Sequence, residues 1–121
     1  MIEKKNFYIN GKWVAPVKPN DFDVIDPSTE EAFAVISLGS IEDTDKAVSA
    51  AKVAFETWRE TSKEERVKLL EKFCEIYNRR WDEMVEAQSM EMGAPLDFAS
   101  EIHTKMAVSY THLRAHETVV H

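Results

Sequence analysis

A chain of 121 residues, 44% of them hydrophobic and 10% aromatic, carries enough apolar material for one folded core, which excludes an intrinsically disordered chain. With 22 acidic against 15 basic residues the net charge is -7, so phosphate backbones and anionic lipid surfaces are repelled, and neither nucleic acid nor membrane is expected as a partner. Three glycines, Gly11, Gly39 and Gly93, are too few and too scattered to write a dinucleotide fingerprint or a phosphate loop anywhere in the chain.

The first residues, Met1 to Asn6, lead into no apolar stretch, and the longest apolar run, Ala32 to Ile36, is far too short to cross a bilayer. A single cysteine, Cys74, has no intramolecular disulfide partner, which fits a reducing compartment; the expected location is the cytoplasm.

Taken in chain order, Phe7-Tyr8-Ile9, Asn10-Gly11 and Lys12-Trp13-Val14 predict a two-stranded ribbon, because both central residues of a type I′ turn need positive φ and Asn-Gly tolerates it. Pro16, Pro19 and Asn20 interrupt regular structure, and a second antiparallel pair is expected at Phe22 to Ile25 and Ala32 to Ile36. Between them Pro27 fixes φ, and Asp26 and Ser28 offer side chains to nearby backbone. Isolated ribbons are marginal in water, so both must lean on something larger. Gly39-Ser40 ends the sheet-like part, and a helix is expected from about residue 43 to 60, with Asp43 and Asp45 at its positive end. Ala47, Val48, Ala51, Ala54, Phe55 and Trp58 fall on one narrow stripe of that helix, mostly of small residues, which predicts close approach to a neighbour.

Ser62-Lys63-Glu64-Glu65 spells a capping box and starts a second helix. Its apolar residues Val67, Leu69, Leu70, Phe73, Cys74, Ile76 and Tyr77 cover about half the circumference, which predicts contact with more than one element. Asp82-Glu83 suits the start of a third helix reaching Met92, stopped by Gly93 and Pro95, and a fourth piece is expected from Asp97 with Ile102 and Met106 on its apolar face. Whether the second and third helices break at Asn78 or run on is left open by the pattern. The fold class expected for the chain is α+β: two short β-hairpins followed by three or four α-helices.

Candidate chemistry is sparse. Cys74 sits among Leu70, Phe73 and Tyr77 without an adjacent base and reads as a core thiol rather than a nucleophile. His112 and His116 are four apart, and with His121 suggest a metal site, but no cysteine or acidic residue completes a ligand pattern; His103 reads as a helix-surface residue. The pairs Glu30-Glu31, Glu64-Glu65 and Asp82-Glu83 are explained by capping and solvation, since neighbours on a helix point in different directions. Glu91 stays open: a helix-end carboxylate beside Gly93 can reach an ion or a distant loop, against the plainer reading as an exposed charge.

Five segments in order, Tyr8-Ile9-Asn10-Gly11-Lys12-Trp13, Val24-Ile25-Asp26-Pro27-Ser28-Thr29, Asp43-Thr44-Asp45-Lys46-Ala47-Val48, Ala50-Ala51 with Phe55-Glu56-Thr57-Trp58, and Glu91-Met92-Gly93-Ala94-Pro95, resemble the N-terminal part of the aldehyde dehydrogenase superfamily. The resemblance covers about residues 7–107 and implies an α/β family fold, of which residues 1–108 would be an incomplete part of the cofactor-binding domain. It implies oxidation of an aldehyde to its acid with NAD or NADP, through a cysteine thiolate, an oxyanion held by a backbone amide and an asparagine, and a glutamate that activates water. None of those catalytic residues is matched in this chain, so catalytic and cofactor-binding residues are expected in none of its positions, and the chain alone is expected to be inactive. Some members hold a monovalent cation; the matching positions here are a backbone carbonyl of Val24 or Ile25 and the Glu91 carboxylate, oxygen donors that suit a hard ion. A homodimer or homotetramer is implied for the full-length protein.

Residues 109–121 depart from the family pattern and are expected to be a foreign tail, with the look of translated adaptor or vector sequence. Read without the resemblance, the residues leave a second function open, a self-contained helical binding module without chemistry, and a third, a metal protein built on the histidine tail.

Overall fold

The structure, a computed structural model, describes residues 1–106. The tail expected over 109–121, with His112, His116 and His121, lies outside the described residues, as do the side chains of Ile102 and His103. The chain divides into two compact units, Met1–Glu60 and a second that begins at Thr61.

The first unit holds five strands and one helix: β1 (Ile2–Lys4), β2 (Phe7–Ile9), β3 (Lys12–Val14), β4 (Asp21–Asp26), β5 (Glu31–Ser37) and α1 (Ile41–Trp58). The ribbon β2–β3 forms as the sequence predicts, Phe7 opposite Val14 and Ile9 opposite Lys12, with Asn10 at φ 54° and Gly11 at φ 75° closing the turn. Tyr8 faces Trp13 across it with ring centroids 5.2 Å apart, a cross-strand aromatic pair that contributes on the order of 0.5 kcal/mol.

The second hairpin also forms, β4 antiparallel to β5, and it carries a feature the sequence does not announce. Strand β1 pairs in parallel with the other edge of β5, Ile2 with Ala34 and Lys4 with Ile36, giving a three-stranded sheet in the order β1-β5-β4. The segment Ile2 to Lys4 is exposed throughout and has no alternating apolar pattern. What makes it a strand is the free hydrogen-bonding edge of β5, a tertiary effect that local composition cannot report. Within β5, Ala34, Val35 and Ser37 are buried, and they form the sheet's contribution to the core.

Helix α1 begins two residues earlier than expected because Ser40 caps it. The Asp43 amide donates to Ser40 Oγ and the Asp43 carboxylate accepts from the Ser40 amide, a reciprocal box built with aspartate in place of the usual glutamate. The small-residue stripe does not find the close neighbour predicted for it: Ala47, Val48, Ala51, Ala54, Phe55 and Trp58 are all exposed, Phe55 by 55%.

The second unit is helical: α2 (Lys63–Arg79), α3 (Trp81–Met92), α4 (Leu96–Phe98) and a π-helical turn, Ala99–Thr104. The capping box at Ser62 forms with Glu65 as read. The break between α2 and α3 falls at Arg80, at φ -100° and ψ 20°, rather than at Asn78. Its side chain forms a two-pronged pair with Glu83, 2.8 Å at the nearer oxygen. Gly93 ends α3 in the left-handed conformation at φ 68°, where a glycine stops a helix without Cβ strain. The wide apolar face of α2 is covered on one side alone: Cys74 is buried and Ile76 and Tyr77 half-buried, while Leu69 and Phe73 are exposed. The last helical piece starts at Leu96 rather than Asp97, and Met106, expected on its apolar face, is 51% exposed. Its turn is tied to α3 by the Trp81 indole, which donates to Ser100 Oγ at 3.1 Å beside the fully buried Ala99.

Candidate functional site

The turn between β4 and β5 is built from its own side chains. The Ser28 amide donates to Asp26 Oδ1 at 2.8 Å and the Glu31 amide to Thr29 Oγ1 at 3.3 Å, while the Glu30 amide returns to the Asp26 carbonyl at 2.8 Å. Glu30 takes φ 60°, a left-handed turn conformation. Just before the turn the ladder slips: Val24 faces Ala34, but Ile25 faces Ala32, so Phe33 is one residue in excess on β5. Such a bulge interrupts the regular pairing of main-chain groups and is common beside functional sites. It falls at the two positions to which the resemblance gives a cation-binding carbonyl.

Val24 is half-buried and Ile25 is 47% exposed, both in the first unit. Glu91 is an exposed carboxylate in the last turn of α3, in the second unit. Among the described residues no group of three or more His, Cys, Asp or Glu side chains is placed to hold a metal ion. Cys74 is a buried free thiol, as its apolar neighbours predict. Burial also pushes the Tyr77 phenol above its ordinary value.

Asp43 is the residue that sequence reasoning undervalued. It reads from composition as a favourable charge at a helix start, yet it is buried, and its carboxylate gathers donors from two separate segments. The Ser40 amide reaches Oδ2 at 3.0 Å, the Ser40 hydroxyl the same oxygen at 2.9 Å, and the Val17 amide reaches Oδ1 at 3.0 Å from 26 residues away. The Ser40 amide, then the Val17 amide, hold the carboxyl below its ordinary value against the opposing effect of burial. The spacing Ser40-x-x-Asp43 could have revealed the cap; nothing local could have revealed Val17.

Alongside this carboxylate runs an open groove of about 600 Å³ between the ribbon and α1, lined by Ile9, Val14, Asp43, Lys46, Ala50 and Val53 among others. Its lining combines aliphatic side chains with both signs of charge, Lys12 and Lys46 against Asp43 and Asp45, so it has no single-sign field for an anion or a cation.

Comparison with known proteins places these elements. The profile of the aldehyde dehydrogenase family matches residues 13–119. A 3-succinoylsemialdehyde-pyridine dehydrogenase from a Pseudomonas species is 45% identical over 96 residues, which is 79% of this chain and 20% of that protein. The crystal structure of an aldehyde dehydrogenase from Bartonella henselae superposes with a TM-score of 0.97 at 50% identity, covering 100% of this chain and 25% of the other. A mutant aldehyde dehydrogenase C from Pseudomonas syringae, in complex with NAD+ and octanal, superposes with a TM-score of 0.92 at 35% identity over 95% of this chain and 24% of that one. The chain thus spans about a fifth to a quarter of the length of the relatives it matches, and corresponds to an N-terminal part of them. With a family match over most of its residues and strands and helices that superpose on those of two solved relatives, the chain belongs to the aldehyde dehydrogenase family.

Proposed function

We propose that this chain is the N-terminal scaffold of a longer protein that oxidises an aldehyde to its carboxylic acid with NAD or NADP. The observation that carries this reading is the superposition on the Bartonella henselae enzyme over 100% of the chain at 50% identity. It weighs against a self-contained binding module, which would have no reason to share a quarter of a dehydrogenase. NAD+ and octanal are the molecules named with the Pseudomonas syringae relative, and they support a nicotinamide cofactor and a small aldehyde as the classes used. A nicotinamide cofactor supplies the hydride acceptor for such an oxidation.

The described residues do not fit that cofactor. Gly11 closes a hairpin, Gly39 lies beside the Phe7 ring and Gly93 caps a helix, so none belongs to a glycine-rich run of amides that could cradle a pyrophosphate. We assign cofactor and catalytic residues to the remainder of the longer protein, and propose that it acts in the cytoplasm as a homodimer or homotetramer. The expected outcome is aldehyde-dependent NAD(P)H formation by the longer protein and none by the 121-residue chain. Turnover by the isolated chain would contradict the reading.

The monovalent-cation role stays with Val24, Ile25 and Glu91 as a proposal for that longer protein, supported by the ladder slip between Val24 and Ile25. Glu91→Ala should weaken the dependence of its activity and melting temperature on sodium and potassium. Identical titrations for variant and wild type would remove the role.

A further inference from the structure

We propose that Asp43 is a positioning residue that clasps the segment between ribbon and sheet to the head of α1, and so sets the width of the ribbon–helix groove. Two buried polar side chains are found among the described residues of the first unit, Ser37 and Asp43, and both hold the same connector, residues 15–20. The Val17 amide donates to Asp43 Oδ1 at 3.0 Å, and the Asn20 amide donates to Ser37 Oγ at 3.2 Å. The Leu38 amide closes the far end by donating to the Asn20 carbonyl at 2.8 Å. The connector thus hangs from the last residue of β5 at one end and from the first turn of α1 at the other.

The ribbon itself meets the helix region at few points. Phe7 lies in ordinary contact range of Gly39, with 3.8 Å from the ring to where a Cβ would stand, and the groove is lined by Ile9 and Val14 of the ribbon and by Lys46, Ala50 and Val53 of the helix. Trp13 and Tyr8 are exposed by 71% and 63%, so burial of the ribbon's aromatic pair does not fix its position. Phe7, Ile9 and Val14 on the ribbon's inner face are half-buried, so its orientation depends on its tether as well as on packing, and the tether's side-chain anchors are the Asp43 carboxylate and the Ser37 hydroxyl. Asp43 also lines the groove, so its side chain serves helix cap, connector and groove wall together. An alanine there leaves the Val17 and Ser40 amides without their acceptor, and a buried unpaired donor draws the segment out to water.

The test is amide hydrogen exchange within the longer protein proposed above, comparing wild type with Asp43→Ala, Ser40→Ala and Ser37→Ala. In wild type the Val17 amide, bonded to Asp43 Oδ1, should be protected. In Asp43→Ala the amides of Val17 and of the β2–β3 pairs should exchange at least about tenfold faster, whereas Ser40→Ala should accelerate the first turn of α1 and leave Val17 protected. Ser37→Ala releases the other anchor and should accelerate Asn20 and the ribbon even if Asp43→Ala fails to fold. An unprotected Val17 amide in wild type, or ribbon amides unmoved in both anchor variants, would overturn the proposal.

Discussion

Asp43 carries a pH dependence whose sign follows from its partners. Donors from Ser40 and Val17 hold its carboxyl below the ordinary value, so the folded chain binds the proton less readily than the unfolded one. The stabilisation is present above the unfolded value of about 3.9 and is lost as pH falls through the lower folded value. Acid titrations followed by melting should therefore show wild type losing more stability than Asp43→Ala below about pH 4, with the two curves parallel near neutrality. Glu83 is also held down, by the hydrogen bond from Arg80, but that pair is exposed on both sides, and solvent screening leaves its contribution small and salt-dependent. These roles differ in how far they could be read in advance. The cap at Ser62 is written within four residues; the bond from Val17 to Asp43 spans 26 and depends on a connector whose path no local pattern encodes.

At the scale of elements, turns and caps were legible because their chemistry is local. Asn10 and Gly11 both take positive φ, and a Cβ at Gly11 would meet nothing within 4 Å, so Gly11→Ala should cost the conformational penalty alone, about 1 kcal/mol, read as a lowered denaturation midpoint. Ser62→Ala removes the acceptor for the Glu65 amide and should cost about 1 kcal/mol by the same measurement. Strand β1 was not legible, since Ile2, Glu3 and Lys4 become a strand by pairing with Ala34, Val35 and Ile36. The bulge opposite Val24 and Ile25 escaped for a related reason: Phe33 sits within an uninterrupted run of strand composition, and the register shift is set by the partner strand. The small-residue stripe of α1 predicted close approach to a neighbour, and its residues are exposed in this chain.

For the whole molecule, the decisive quantity is how little is buried. Among the described residues the buried apolar side chains are Ala34 and Val35 in the first unit and Cys74, Val85 and Ala99 in the second. Against them stand exposed Val53, Phe55, Trp58, Leu69 and Phe73, more apolar surface than a small self-sufficient domain leaves open. The sequence pointed to this through the width of the α2 face and the stripe on α1, and family membership gives it a reason. The chain spans about a quarter of its structural relatives, so these faces suit contact with the rest of such a protein. The measurement that tests this most directly is a chimera in which residues 1–106 replace the equivalent part of the Bartonella henselae enzyme. The account predicts a folded protein that oxidises aldehyde with the parent's own nicotinamide cofactor at a rate within about tenfold of the parent. A chimera that folds cooperatively but has no aldehyde-dependent activity would contradict it.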